Sequence, residues 1–479
     1  MNKYDLIVLG GGAGGLTVAA GAASMGAKVA LVEKNDKLGG DCLHYGCVPS
    51  KALIDAAKTV HSAKEASVAF DFDLSGEVNL EKVMDRVHAA IADIQEHDSK
   101  ERFEDLGIDL YFGKGHFLDE HIVSVSNNKN IKGKRIVIAT GSSPFIPPIE
   151  GIDQIDYLTN ESIFYLKILP KRLAVVGGGS IGLELSQGCA RLGSEVTIIE
   201  GSPALMGRED KEIVPYLQNA LEKDLTLKLN TKVTKVEQSG EEKILTVEQN
   251  GESEVMTVDA VLIATGRKPN IESLNLNEIG VNTEKGNIIV NKQLQTTQKH
   301  IYAIGDTIGT FPFTHAAGME GKVAVSNAVF GLWRKVNYDA VPWVTYTDPE
   351  IYHLGMTEKE AREKYGEDIS VYKVDLDEVD RFVAEREKSG LLKIITNKKG
   401  YIIGAHAAGK DAGNWMQELV YAKQNKRKIG TISNVIHPYP TRGAIVQQAA
   451  DQYWRNKLFE GSMLKLMKKY IKWFRRGWK

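Results

Sequence analysis

Cysteine is scarce, with three residues in 479. That number cannot staple a secreted scaffold, supply four thiolates to an iron–sulfur cluster or build an all-cysteine zinc site, and it makes reducing cytosol the expected compartment. Proline is sparse too, at 13 residues, and neither sign of charge dominates: Lys and Arg total 60, Asp and Glu 62, for a formal net charge of −2. Without a field of one sign, nothing steers the whole chain onto nucleic acid, and no nucleic-acid partner is expected. With 43% hydrophobic and 25% charged residues the composition is that of a soluble globular protein. The length suits about three domains.

One long stretch, Leu6 to Ala27, has only Thr17 and Ser24 as polar side chains and invites a membrane-span reading. Seven of its 22 residues are glycine, however, clustered around Gly10, Gly11, Gly12, Gly14 and Gly15. Glycine disfavours a helix interior, so strand, turn and helix explain the cluster better. Asp5–Leu9 reads as a buried strand, Leu16–Met25 as a small-residue helix and Lys28–Glu33 as a second strand.

Gly10, Gly12 and Gly15 form G-x-G-x-x-G, the turn that lets a dinucleotide pyrophosphate approach the backbone at a helix N-terminus. Glu33 follows 23 residues after Gly10, where a carboxylate can accept hydrogen bonds from ribose hydroxyls. One such match is weak, because glycine turns often serve packing alone. Here the unit recurs: Gly177, Gly179 and Gly182 repeat the turn, and Glu200 repeats the carboxylate, again 23 residues on. Two dinucleotide sites in one chain suit an enzyme that moves electrons between cofactors. Glu200 disfavours a 2′-phosphate, so NAD(H) is expected over NADP(H), although Arg208 lies near enough in sequence to weaken that preference. The alternative reading leaves Glu33 and Glu200 as solvated strand-end carboxylates.

Cys42 and Cys47 lie in Gly39-Gly-Asp-Cys-Leu-His-Tyr-Gly-Cys-Val-Pro-Ser-Lys51, soon after the first glutamate. So short a loop gains little stability from a crosslink, which favours a redox pair over a structural one. Cys42 with His44 could ligate a metal, but no second ligand cluster accompanies them, and no metal cofactor is expected. Pro49 suits a first helical turn, placing Cys47 near a helix N-terminus that favours thiolate. Cys189, among small residues after the second turn, reads as buried packing.

These residues resemble the class I pyridine nucleotide–disulfide oxidoreductases, which include dihydrolipoamide dehydrogenase, glutathione reductase and mercuric reductase. Besides the cysteine segment, Ile136-Val-Ile-Ala-Thr-Gly-Ser142 and Val261-Leu-Ile-Ala-Thr-Gly-Arg267 are similar to the family's two A-T-G strand ends, with Thr140, Gly141 and Gly266. Tyr302-Ala-Ile-Gly-Asp306 is similar to its second FAD motif, and Val341–Glu350 to the opening of its interface domain. The resemblance implies an α/β fold: two Rossmann-like dinucleotide-binding domains plus a C-terminal α+β dimerisation domain. It implies FAD in the first site and a nicotinamide in the second, with electrons reaching Cys47 beside the flavin and Cys42 becoming the exchanging thiolate. Lys51 and Glu184 are similar to a family ion pair that tunes the flavin, against the alternative that Lys51 is a helix-surface charge. The implied substrate is a small-molecule or protein-bound disulfide or dithiol, handled as dihydrolipoamide dehydrogenase handles it. The alternatives are mercuric-reductase-like chemistry, a flavin oxidase or quinone reductase with an ancillary cysteine pair, and a membrane-associated flavoprotein scaffold.

In the family, a histidine of an H-P motif serves the partner subunit's thiols as acid/base, which implies a homodimer and assigns that part to His437. The glutamate that should orient it is missing, because Arg442 and Ala444 occupy the positions five and seven residues on. Tyr439, in Pro438-Tyr-Pro-Thr441, resembles a variant of mercuric-reductase-like members and is a candidate helper. Mercuric reductase proper adds a C-terminal cysteine pair, and no cysteine follows Cys189 here. The expected domains are 1–150 for FAD, 151–270 for NAD, 271–340 returning to the FAD site, and 341–454 for dimerisation. Leu80–Leu106 reads as one long charged helix. Residues 455–479 carry nine Lys or Arg against Glu460, with apolar residues at helical spacing. That amphipathic helix either packs on the dimer or lies on an anionic membrane, so the chain is expected to be cytoplasmic with a membrane-peripheral alternative.

Overall fold

The computed structural model describes residues 1–126, 129–459 and 462–478. Two compact units emerge: residues 1–204 with 225–337, and residues 205–224 with 338–479. The short stretch 205–224, inside the range expected for the NAD domain, belongs to the second unit.

In the first unit, Asn2–Leu9 is the centre of a sheet, pairing in parallel with Val29–Glu33 and Lys129–Ile138. Leu6, Ile7, Val8 and Leu9 are all buried, which is why this strand reads as a continuous apolar run. Ile301–Ala303 returns from far along the chain to pair with Ile136–Ile138. A second parallel sheet runs in the order Thr226–Lys228, Glu195–Ile199, Arg172–Val176, Ala260–Ile263. A three-stranded antiparallel sheet, residues 231–258, precedes the last of these strands. Each of these two sheets carries one glycine turn and the helix that follows it, Ala13–Ala23 and Ser180–Leu192.

The second unit is built on five antiparallel strands, ordered Pro342–Thr345, Glu350–Gly355, Ile402–Gly409, Leu391–Asn397, Ile369–Asp375. Its core includes Tyr352, Phe382, Leu392 and Ile394, together with Ile445 and Val446 of the helix Ala444–Phe459. The expected α/β architecture with an α+β C-terminal part is what the chain adopts.

One expected element differs. Leu80–Leu106 is two helices, Leu80–Gln95 and Lys100–Asp105, because the Ser99 side chain accepts the Arg102 backbone N–H and caps a new start. The C-terminal helix is present at Ser462–Phe474 and is exposed from Lys465 to Phe474; Glu460 and Lys479 lie outside the described residues. Among the described residues no helix is long and apolar enough to cross a membrane.

Candidate active site

Both glycine turns are built alike. A Cβ on Gly10 would sit 2.2 Å from the Ala139 carbonyl oxygen, and one on Gly15 would sit 1.9 Å from the Gly10 carbonyl oxygen. In the second turn the corresponding clashes are 2.5 Å at Gly177, with the Ala264 oxygen, and 2.1 Å at Gly182, with the Gly177 oxygen. Packing therefore accounts for the first and third glycines of each turn. The middle ones are different. Gly12 and Gly179 have extended backbone that any residue adopts, and a Cβ there would meet nothing closer than 3.8 Å in the first case and nothing within 4 Å in the second. Nothing among the described residues requires a missing side chain at either place, whereas a pyrophosphate approaching the helix N-terminus would. The residues present thus fit a dinucleotide at each turn.

Glu33 and Glu200 are more than solvated strand ends. The Glu33 carboxylate accepts the backbone N–H groups of Gly11 at 2.7 Å and Asn35 at 2.9 Å. Glu200 accepts those of Gly178 and Ser202, both at 2.7 Å. Each carboxylate ties the end of the second strand to the turn, holding it where a ribose would lie beside the phosphate.

The redox segment lies against the first turn. The Gly39 backbone N–H donates to the Gly11 carbonyl at 2.9 Å, and Gly40 comes so close to Gly12 that a Cβ on Gly40 would be 2.7 Å from the Gly12 Cα. Cys42 follows in the short helix Gly40–His44, and Cys47 is the first residue of the helix Cys47–Phe70. All three cysteines are free thiols. The Cys42 thiol donates to the Cys47 sulfur, and this hydrogen bond is the main cause holding Cys47 down at about 6. Partial desolvation opposes the shift, while the Thr314 hydroxyl, 3.4 Å from the Cys47 sulfur, and the Lys51 charge support it. Cys42 is pushed far up by the same shared proton and by burial. The pair thus holds one proton and one negative charge, the charge on Cys47. Cys189 is buried, and its thiol is pushed up to about 12 by desolvation.

Lys51, one turn along from Cys47, reaches the buried Glu184 carboxylate at 2.8 Å. Their helices, Cys47–Phe70 and Ser180–Leu192, close on each other where Gly188 faces Leu53. Lys51 is therefore paired across elements rather than displayed on a helix surface.

Thr140 and Asn270 exchange hydrogen bonds, the Thr140 hydroxyl donating to the Asn270 carbonyl at 2.7 Å and the Asn270 amide to the Thr140 carbonyl at 3.1 Å. Gly141 and Gly266 both have left-handed backbone with no neighbour where a side chain would stand. Asp306 accepts the Ser142 hydroxyl at 2.5 Å. Arg267, quoted in its motif but given no role from sequence, joins these pieces: it donates to the Ser142 hydroxyl at 2.7 Å and carbonyl at 2.8 Å, and pairs with Asp41 at 2.9 Å. Thr314 also went unread, since it lies 267 residues from Cys47 with no motif to flag it.

His437 belongs to the second unit. A carboxylate does face it, from an element the sequence did not suggest: Glu418, 19 residues earlier, meets Nε2 at 2.9 Å, while the Val435 carbonyl meets Nδ1 at 3.1 Å. Arg442 is engaged with Glu385 and Asp411, and the Tyr439 hydroxyl donates to Asp380 at 2.9 Å rather than to His437. Ile436 and Tyr439, flanking the histidine, are strongly exposed.

Residues 4–321 match the pyridine nucleotide-disulphide oxidoreductase family, and residues 341–450 match that family's dimerisation domain. The chain is similar to the mercuric reductase of Lysinibacillus sphaericus, with 36% identity over 456 residues, 94% of this chain and 82% of that one. It is equally similar to the mitochondrial dihydrolipoyl dehydrogenase of Pisum sativum, with 36% identity over 459 residues, 94% of this chain and 91% of that one. Among solved structures, the HOCl-induced flavoprotein disulfide reductase RclA from Escherichia coli superposes with a TM-score of 0.83 at 27% identity, covering 94% of this chain and 99% of its own. Its Cu(II) complex superposes with a TM-score of 0.84 at 26% identity, covering 94% and 100%.

Proposed function

The chain belongs to the pyridine nucleotide-disulphide oxidoreductase family, whose members bind FAD and NAD or NADP, and on that premise we propose that it passes electrons between NAD(H) and a disulfide or dithiol, as dihydrolipoyl dehydrogenase does. The observation that carries this reading is the thiol pair that shares one proton beside the first glycine turn. FAD would be held by Gly10, Gly12, Gly15, Glu33, Thr140, Gly141 and Asp306, and the nicotinamide cofactor by Gly177, Gly179, Gly182, Glu200 and Gly266. Bound FAD supplies the two-electron relay between nicotinamide and disulfide.

The protein's own part is proton and sulfur chemistry. Two electrons and one proton convert the Cys42–Cys47 disulfide into a Cys42 thiol and a Cys47 thiolate, the state the hydrogen bond between them favours. Lys51, held by Glu184, places a positive charge near the new thiolate. Cys42 must then lose its proton to attack the substrate disulfide, expelling one substrate thiolate. The Cys47 thiolate next attacks Cys42 sulfur, expels the second and restores the Cys42–Cys47 bond. The base we assign is His437 of the partner subunit. Both its ring nitrogens face acceptors, so Glu418 must yield Nε2 before a thiol can use it.

Anaerobic titration with NADH tests the assignment: long-wavelength thiolate absorbance should appear in the wild type and be absent from Cys47→Ser. Cys42→Ser should abolish lipoamide reduction. Full lipoamide turnover in Cys42→Ser would overturn the reading and favour an oxidase or quinone reductase. A second reading, soft metal ion as the electron acceptor, is favoured by the low-lying Cys47 thiolate and by the mercuric reductases among the relatives. Hg(II)-dependent NADH oxidation exceeding that with lipoamide and glutathione disulfide would select it.

We infer that the helix Ser462–Phe474 covers its apolar side against the dimer. Leu466, Tyr470, Trp473 and Phe474 are exposed in the single chain, with lysines interleaved. An anionic membrane is the competing partner. Equal liposome sedimentation of the full chain and of a chain ending at Tyr453 would remove the membrane; binding lost with the tail would remove the dimer reading.

A further inference from the structure

The second unit holds a buried polar layer that disulfide exchange does not use. Strand register places Trp343, His353, His406, Lys393 and Lys373 in one rank across the five-stranded sheet. The rank faces the segment Leu205–Asp224 of the same unit. Lys393 is almost fully buried and meets Asp210 at 2.9 Å and Glu212 and Glu358 at 2.6 Å each, so that cation is fully answered. Glu209 is not answered in the same way. Its Oε1 accepts the Trp343 indole N–H at 2.7 Å and its Oε2 meets His353 Nδ1 at 2.8 Å.

The two histidines are oriented alike. His353 Nε2 faces the Gly355 carbonyl at 2.7 Å, and His406 Nε2 faces the Met356 carbonyl at 2.8 Å. A carbonyl only accepts, so each Nε2 carries its proton, and on a neutral ring Nδ1 is then a bare lone pair. His406 is 0% exposed, and its Nδ1 has no hydrogen-bond partner among the described residues. At His353, Nε2 is committed to the Gly355 carbonyl and Nδ1 stands against the Glu209 carboxylate, so only a second proton or a cation joins that nitrogen to that oxygen. A proton placed there would satisfy that pair and still leave His406 Nδ1 orphaned. A divalent cation would satisfy all three.

We propose that Glu209, His353 and His406 bind one divalent transition-metal ion of the zinc class and so fasten the Leu205–Asp224 segment to the sheet. The ligand atoms all lie within 4.8 Å of one another. Ligands about 2.0–2.1 Å from a tetrahedral zinc are about 3.4 Å apart, so modest side-chain adjustment closes the shell. Two imidazole nitrogens and one carboxylate oxygen are a donor set that zinc takes readily, with a fourth position left over. The two backbone carbonyls supply the outer contacts that fix each ring's tautomer. Sequence spacing gave no hint, because the three ligands come from segments 144 and 53 residues apart and only the sheet register joins them.

The test uses the full-length, FAD-bound chain carrying Cys42→Ser and Cys47→Ser, which removes the thiol pair as a competing chelator. After incubation with zinc chloride and exhaustive dialysis, mass spectrometry should count about one zinc per protomer, and the melting temperature should rise with added zinc. His406→Gln in the same background should drop retained zinc by about ten-fold or more (~1.4 kcal/mol per ten-fold), with circular dichroism verifying the fold. Should that variant not fold, Glu209→Gln is read in the same way. Cobalt(II) on the unsubstituted histidines gives a third readout, since a low-symmetry nitrogen–oxygen shell intensifies its visible absorption. No retained zinc together with an unshifted melting temperature, retention indifferent to both substitutions, or a cobalt spectrum no different from aqueous cobalt would each overturn the proposal.

Discussion

The two glycine turns share a backbone and differ in what the chain does next. After Glu33, it folds straight back, laying Gly39 and Gly40 against Gly11 and Gly12 and delivering the cysteines within a few residues. After Glu200, it passes Ser202 and continues into residues 205–224, and a Cβ on Gly179 would meet nothing within 4 Å among the described residues. Glu33 is buried, while Glu200 is half-buried. One turn geometry is thus used twice, and on the proposed function its neighbouring segment decides whether it serves a fixed redox partner or an exchangeable carrier.

The comparison breaks first if the outer glycines are replaced. Gly15→Ala and Gly182→Ala each drive a Cβ into a backbone oxygen, and each is expected to cost about 3 kcal/mol in urea denaturation. Equal stability to wild type would show that the turns relax freely. The middle glycines should separate the two sites. Gly12→Ala should fold but lose bound flavin absorbance, whereas Gly179→Ala should keep the flavin and raise the KM for NADH about ten-fold (~1.4 kcal/mol). Loss of flavin from both variants, or from neither, would dissolve the distinction. Glu200→Ser should then narrow the preference for NADH over NADPH by about ten-fold, measured as a ratio of kcat/KM, while Glu33→Ser leaves that ratio alone. The smallest effect belongs to the cysteine segment itself. In the reduced enzyme the Cys47 thiol has a depressed value near 6, so thiolate absorbance should be present above that pH and fade as pH falls through it. Thr314→Val, removing one supporting hydrogen bond, should move the midpoint slightly upward.

Much of this was legible because it is local. The turns, their carboxylates and the cysteine segment are short-range patterns whose residue types follow from backbone approach and helix starts, and the doubling at a spacing of 23 made them specific. The helix break at Ser99 was equally local and was missed because charge patterning hid a capping residue. What sequence could not show is whatever the fold brings from a distance. Arg267 gathers Asp41 and Ser142, Thr314 reaches Cys47, and Glu418 meets His437. No spacing encodes these contacts. They depend on sheet order and on helices meeting, and a lone threonine or glutamate carries no sign of either.

A pair of sulfurs that keeps one proton between them has a consequence for driving force. Above about pH 6, storing two electrons there takes up a single proton, so the couple's midpoint should fall by about 30 mV for each pH unit. Below that, a second proton is taken up and the slope should steepen to about 59 mV. Acidification would therefore turn the same centre into a steeply stronger oxidant, with no change in shape.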